Sequence, residues 1–285
     1  MNKFDIKWKN ENHPNTKACQ KGEVEFLKFS LLEDTGMVSH GFSTRLGGVS
    51  TGDCSSMNLS YARGDAKKAV DENYRRIADA MGFAVDSIVC SDQTHTTNVI
   101  CVDEKDKGNG ITKPRPYTDV DGLVTNVPGV TLATFYADCV PLYLVDPVQK
   151  VIGLSHSGWK GTVGNIGART VAVMCQNYGS KPEDILTVIG PSICKDCYEV
   201  SQDVAEQFQK AYSEDLWNSI MYDKGNGKFQ LNLWEACRLN FLGAGILPEH
   251  IVMPEICTCC NPEYLFSHRA SKGRRGNLAA FLMLK

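Results

Sequence analysis

The stretch GLVTNVPGVTLATFYADCVPLYLVDPVQKVIGLSHSG (122–158) decides the fold. It holds four apolar, β-branched runs, GLVTN, VTLATFYAD, PLYLVD and VIGLSHSG, punctuated by Pro, Gly and Asp, the signature of strands joined by turns. The runs are nearly continuous rather than alternating, so these strands are expected to be buried on both faces. ILTVIGPSI (185–193) reads as a further strand, and SIVCSDQTHTTNVICVD (87–103) as two short ones. Upstream, Ala69, Val70, Ile77, Ala80 and Met81 give Asp65 to Met81 the spacing of an amphipathic helix, stopped by Gly82. Downstream, Gly158 to Tyr178 reads as a loop and a helix, Val204 to Trp217 and Leu233 to Leu242 as helices, and the C-terminus as a strand. The order mixes α and β without strict βαβ alternation. Mixed or paired sheets with helices outside are therefore expected.

The 285 residues are 42% hydrophobic, enough for a large core. Thirty basic residues against 33 acidic ones give a net charge of −3, which offers no basic excess for a nucleic-acid partner. The opening MNKFDIKWKNENH lacks an apolar segment, and the most apolar run, Gly129 to Val145, is broken by Asp138 and Pro141. Neither an export signal nor a membrane span is expected, so the reading is a cytoplasmic chain, monomeric by default. Twelve cysteines in such a chain are read as reduced thiols, not a disulfide framework. Residues 41–60, GFSTRLGGVSTGDCSSMNLS, form a long loop, and long structured loops are usually functional. Residues 104–118, charged and containing Pro114 and Pro116, are expected to be a surface excursion.

Three residues share one local pattern. His95 in QTHTT, Cys139 in YADCVP and His156 in LSHSGW each end an apolar strand beside a turn. Neighbouring strand ends would gather them at one rim. Two imidazoles and a thiolate suit zinc, and three protein ligands leave a tetrahedral position open, as in catalytic sites. Copper accepts the same set. A Cys–His nucleophile pair with Cys139 attacking is the competing chemistry, and buried packing residues are the plainest alternative.

QTH, ADCVPLYLVD and SHSGWKG, together with GFSTRLGGVS, IGPSIC..CYEV and FSHR, resemble the YfiH/YlmD-type family, also called the multicopper polyphenol oxidase or laccase-domain family. The resemblance runs from about Val38 to the C-terminus. It implies one domain over 1–285 with an α+β fold, a layered αββα-type sandwich with mixed sheets. It implies a zinc site at His95, Cys139 and His156. It also implies phosphorolysis of adenosine, inosine, guanosine or methylthioadenosine, with adenosine deamination beside it. The alternatives are a copper-dependent phenol oxidase and a hydrolase of cell-wall muramyl peptide precursors. A blue multicopper oxidase needs many imidazoles, and six His in the whole chain are few for that.

Further site residues follow from the same motifs. Arg45 in FSTRLGG matches the family's Arg and is the expected phosphate ligand, with Gly47 and Gly48 letting N–H groups approach the anion. Lys160 in GWKG stands where many members carry Arg, keeping the charge and losing the fork. Asp121 matches a motif Asp, and Asp138 precedes Cys139; a carboxylate there orients a ligand or moves a proton. Asn58 and Asp65 are read first as loop organisers and then as substrate contacts. Trp159 is a candidate for stacking on a base, and His268 and Arg269 for contacting the nucleoside. The family's Gly-Arg just downstream is Gly276 and Asn277 here, which weakens an anion site at 277. Cys194 and Cys197, with Cys257, Cys259 and Cys260, suggest a Cys₄ zinc site, although CTCC reads as C-x-C and CC rather than C-x₂-C.

Overall fold

In the computed structural model, which describes residues 5–285, the strands are, in chain order, β1 (Thr16–Lys21), β2 (Val24–Phe29), β3 (Val38–Ser43), β4 (Ile88–Cys90), β5 (Val99–Cys101), β6 (Gly122–Thr125), β7 (Thr131–Tyr136), β8 (Val140–Asp146), β9 (Val151–Ser157), β10 (Leu186–Ile189), β11 (Glu199–Ser201), β12 (Met221–Gly225), β13 (Lys228–Leu231), β14 (Ile251–Val252) and β15 (Leu278–Leu284). They form two six-stranded sheets, ordered β1-β2-β3-β15-β7-β4 and β14-β10-β8-β9-β6-β5, and a small sheet β11-β13-β12. Both large sheets are mixed, with β4–β7, β5–β6 and β10–β14 parallel.

The continuous apolar runs have a simple cause. Side chains alternate across a strand, and here both faces are covered. From β8, Tyr143 and Val145 enter the core between the two sheets, where they join Leu132 and Tyr136 of β7 and Leu282 of β15. Val140, Leu142 and Leu144 of the same strand face outward onto Ile166, Met174 and Phe241. Those residues belong to helices Ile166–Tyr178 and Leu233–Gly243, which cover the second sheet. The first sheet is covered by helix Lys67–Met81, whose Val70, Tyr74 and Ile77 pack on Ala133, Ala279 and Phe281. The layers are thus helix, sheet, sheet, helix, the αββα sandwich that the motifs imply.

Several expected elements shift for local reasons. Helix Lys67–Met81 ends at Gly82 as read, with φ +80° at that residue. The loop expected at the start of 158–178 is itself a short helix, Trp159–Val163, and the expected helix is Ile166–Tyr178; the two are separate because Asn165 turns left-handed and its side chain accepts from Ala168 N–H, capping the second helix. The expected 204–217 helix is Gln202–Ala211, followed by a 3₁₀ turn Glu214–Leu216 and a short helix Trp217–Ile220. The 104–118 excursion is more than surface. Asn109 is buried, and Lys113, Pro114 and Arg115 wall a cavity. Among the described residues, no helix is long and apolar enough to cross a membrane.

Candidate metal centre

The centre is built around Asp121, fully buried immediately before β6. Its carboxylate accepts the N–H groups of Thr94 (3.1 Å), His95 (3.1 Å) and Thr96 (2.9 Å), and the Thr96 hydroxyl (3.0 Å). These bonds curl QTHTT into a tight turn that holds His95 at φ +67°, a conformation unusual for a non-glycine residue. The same carboxylate takes the Nδ1–H of His156, 2.8 Å away. Burial alone would raise the Asp121 pKa, but the His156 contact and the Thr96 and Thr94 N–H groups hold it below the usual value. An ionised carboxylate only accepts, so Nδ1 donates to Asp121, and Nε2 is the nitrogen left to bind a metal once it gives up its proton. One carboxylate therefore fixes the backbone of one imidazole and the tautomer of the other, the arrangement found behind metal-ligating histidines.

Cys139 closes the triangle from the β7–β8 turn. Asp138, at φ +92°, is pinned there by the Thr258 hydroxyl (2.7 Å) and the Arg269 N–H (2.7 Å). Cys139 Sγ lies 3.8 Å from His95 Nε2, and one donor atom from each of His95, Cys139 and His156 falls within 4.8 Å of the others. Ligands at about 2.0–2.3 Å from one tetrahedral ion stand about 3.3–3.8 Å apart, so the donor set fits zinc with little adjustment. Burial pushes the Cys139 thiol up, yet His156 and His95 outweigh it and bring it down to about 6. His156 moves the other way, to about 9: burial lowers it, and the Cys139 sulfur and Asp121 raise it more strongly. The thiolate that a metal requires is thus favoured near neutrality. Gly158 is glycine for a steric reason, since a Cβ there would sit 2.6 Å from His95 Cδ2.

Two cavities meet at the triad. The larger, about 670 Å³, is lined by all three donors and by Arg63, Arg115 and Arg275. The smaller, about 270 Å³, touches His95 and Cys139 and is walled by Trp159, Lys160, Ile193 and Tyr198. Lys160 and Trp159 thus lie beside the centre as the motif suggests, with the ammonium over the indole ring.

Arg45 is not brought into either of these cavities. Its guanidinium donates to the carbonyls of Ser55 (2.9 Å) and Pro262 (2.5 Å), lies over the Phe266 ring, and lines a separate cleft. Gly47 and Gly48 pack against the backbone of Glu23 and Ser56 at distances no Cβ would tolerate, and the Gly48 N–H is taken by Ser56 Oγ. The anion cradle expected at 45–48 is therefore a packed loop junction. Asn58 organises its loop, bonding Ser60, Asp65 and the Asn277 N–H. Arg269 donates to the Cys197 and Glu199 carbonyls, and His268 is exposed outside both cavities.

Lys67, Lys113 and Arg115 also face the larger cavity, but Arg115 is paired with Asp92 and Lys67 with Asp71; Arg63 and Arg275 are the two guanidinium groups there that sequence reasoning passed over. Both bond Asn277 Oδ1, and among the described residues neither pairs with a carboxylate. Arg275 Nε is buried without a partner among the described residues. Burial and the adjacent Arg63 hold the Arg275 guanidinium down to about 10. The signal lay in SKGRRGN, one position before the Gly276–Asn277 pair.

The family model described as multi-copper polyphenol oxidoreductase laccase matches residues 39–285. The chain belongs to this family. It is 36% identical over 246 residues to the purine nucleoside phosphorylase YlmD of Geobacillus stearothermophilus, covering 85% of this chain and 88% of that protein. It is 35% identical over 231 residues to the adenosine deaminase RL5 of an unknown prokaryotic organism, covering 80% and 87%. The crystal structure of the hypothetical protein YfiH of Bacillus licheniformis, 31% identical, superposes with a TM-score of 0.87 over 94% of this chain and 99% of that one.

Proposed function

We propose that this chain is a zinc-dependent purine nucleoside phosphorylase that also deaminates adenosine. The observation carrying the reading is the three-donor centre on the wall of a cavity that also holds unpaired guanidinium groups. The names of the relatives, a phosphorylase and a deaminase, give the substrate class. Among the described residues, His95 and His156 are the only imidazoles in a candidate metal cluster. A blue-copper site with an additional His-rich cluster has too few ligands here, which favours nucleoside chemistry over copper oxidation.

In this reading His95, Cys139 and His156 hold the ion, and zinc supplies Lewis-acid polarisation when bound. Asp121 orients the ligands. Arg275 and Arg63 hold phosphate, because two adjacent guanidinium groups repel until an anion sits between them and accepts their N–H groups. Arg45 braces the loop behind them. The nucleoside occupies the remainder of the larger cavity. No nucleic-acid, membrane or partner-subunit contribution is required.

Chromatographic product analysis with adenosine or inosine, with and without phosphate, tests the proposal. Phosphate-dependent release of free base with ribose-1-phosphate is expected, together with phosphate-independent conversion of adenosine to inosine. No turnover of either nucleoside by zinc-loaded protein would overturn it.

A further inference from the structure

Four cysteines outside the catalytic centre converge. Cys194 precedes and Cys197 ends the 3₁₀ turn Lys195–Cys197 that follows β10, and Cys257 and Cys260 lie in the loop that follows β14. Their four sulfurs lie within 4.8 Å of one another. Cys197 Sγ is 3.5 Å and Cys194 Sγ 4.0 Å from Cys260 Sγ. Four sulfurs bound at about 2.3 Å to one tetrahedral ion stand about 3.8 Å apart. A disulfide would bring a pair to about 2.05 Å, and all four are free thiols.

The spacing also corrects the sequence reading. Cys259 stays outside the cluster, and the pair that enters it, Cys257 and Cys260, is itself C-x₂-C. Two C-x₂-C pairs thus face each other from loops 63 positions apart. Backbone donors serve the sulfurs: the N–H groups of Cys194 (3.2 Å) and Cys260 (3.4 Å) point at Cys257 Sγ. Such N–H groups stabilise thiolate charge. A cation is also at hand. The N-terminal segment pairs with the second loop through Trp8 and Ile256, which sets the Lys9 ammonium beside Cys194 and 3.1 Å from Asp196. A lone ammonium partly offsets the charge of a tetrathiolate bound to a divalent ion.

We propose that Cys194, Cys197, Cys257 and Cys260 form a second, structural zinc site that fastens these two loops together behind the catalytic centre. Four protein ligands leave no open position, so the site clamps and does not catalyse. What it clamps matters for the first site. Ile193 N–H donates to the Asp138 carbonyl (3.0 Å) and Thr258 Oγ1 to the Asp138 carboxylate, next to Cys139. Ile193 and Tyr198, on either side of the first C-x₂-C, wall the smaller cavity.

The test is metal content and ligand identity in the full chain, purified under reduction with zinc supplied. Wild type is expected to hold two zinc ions per chain. The variant H95A/H156A should keep one, with an X-ray absorption shell of four sulfurs. C197S/C260S should also keep one, with a mixed nitrogen and sulfur shell. A single zinc in wild type, lost in H95A/H156A, overturns the proposal. So does a disulfide among the four thiols in the freshly purified protein, or iron in place of zinc in the four-sulfur shell. Should C197S/C260S fail to fold, the H95A/H156A protein alone decides.

Discussion

Asp121 and Arg275 show how much of the centre rests on single polar atoms. Asp121 satisfies three backbone N–H groups, a hydroxyl and an imidazole with two oxygens. Asp121→Asn replaces one oxygen by an NH₂ that faces donors and removes the charge that fixes the His156 tautomer. Zinc affinity, read by competition with a chelator, is expected to fall about 10–100-fold with the fold retained by circular dichroism; unchanged affinity would remove Asp121 from its positioning role. Arg275 separates the two proposed reactions. Arg275→Ala should raise KM for phosphate at least about tenfold, as expected for the loss of a charge-assisted contact. It should leave adenosine deamination, which needs no phosphate, nearly unchanged. Arg45→Ala should do the opposite: a lower melting temperature from the lost Ser55 and Pro262 bonds and little change in phosphate KM. A rise in phosphate KM for Arg45→Ala alone would return the anion to the 45–48 loop. That His95, Cys139 and His156 gather was legible in the sequence because each stands at or just past the end of an apolar strand, and strand ends that are neighbours in space share a rim. Arg63 and Arg275 were not, because a cation in a polar loop looks the same in sequence whether it faces solvent or a cavity.

Elements position these residues through contacts that leave little slack. β9 carries His156 toward the inter-sheet side, where its ring lies 5.5 Å from that of Tyr136 on β7. The chain then turns at Gly158 directly under His95. Gly158→Ala would place a Cβ 2.6 Å from His95 Cδ2 and 3.3 Å from Cys139 Sγ, and both contacts are with donors of the candidate centre rather than with flexible chain ends. Weaker zinc binding with near-normal secondary structure is expected; a variant that binds zinc as wild type does would show that the turn yields at low cost. The strands were readable from 122–158 because double-sided burial writes itself as unbroken apolar runs. The helix break at Gly164–Asn165 was less so, since it depends on one side chain capping the next turn. The β12–β13 hairpin went unread because its residues are mostly exposed and polar, which leaves no periodic hydrophobic signal. CTCC was misread for a different reason: adjacency in sequence drew attention to Cys259, whereas the loop presents Cys257 and Cys260.

Across the whole molecule, the two sheets stack so closely that a titratable group is enclosed between layers. His40 of β3 is 1% exposed. Its Nε2 accepts the Phe29 N–H at 2.9 Å, and its ring stacks on Phe29. Its Nδ1 is buried without a partner among the described residues. Protonation would cost the Phe29 bond its acceptor and enclose a charge, and burial, with Lys28 nearby, lowers the pKa from 6.5 to about 4. The consequence for stability has a definite sign. Above pH 6.5 neither folded nor unfolded chain protonates this ring, and His40 adds no pH dependence to stability. Between pH 6.5 and 4 the unfolded chain binds a proton that the folded chain refuses, so stability falls as pH falls. Below about 4 both states are protonated and the loss levels off. The window corresponds to about 3 kcal/mol. His40→Gln keeps an acceptor for Phe29 N–H but cannot titrate. Urea unfolding at intervals from pH 7.5 to 4 should therefore show wild type losing about 3 kcal/mol more than the variant over that range. Parallel curves for the two proteins would mean that the inter-sheet layer admits a charged imidazole, and that acid sensitivity in this fold arises elsewhere.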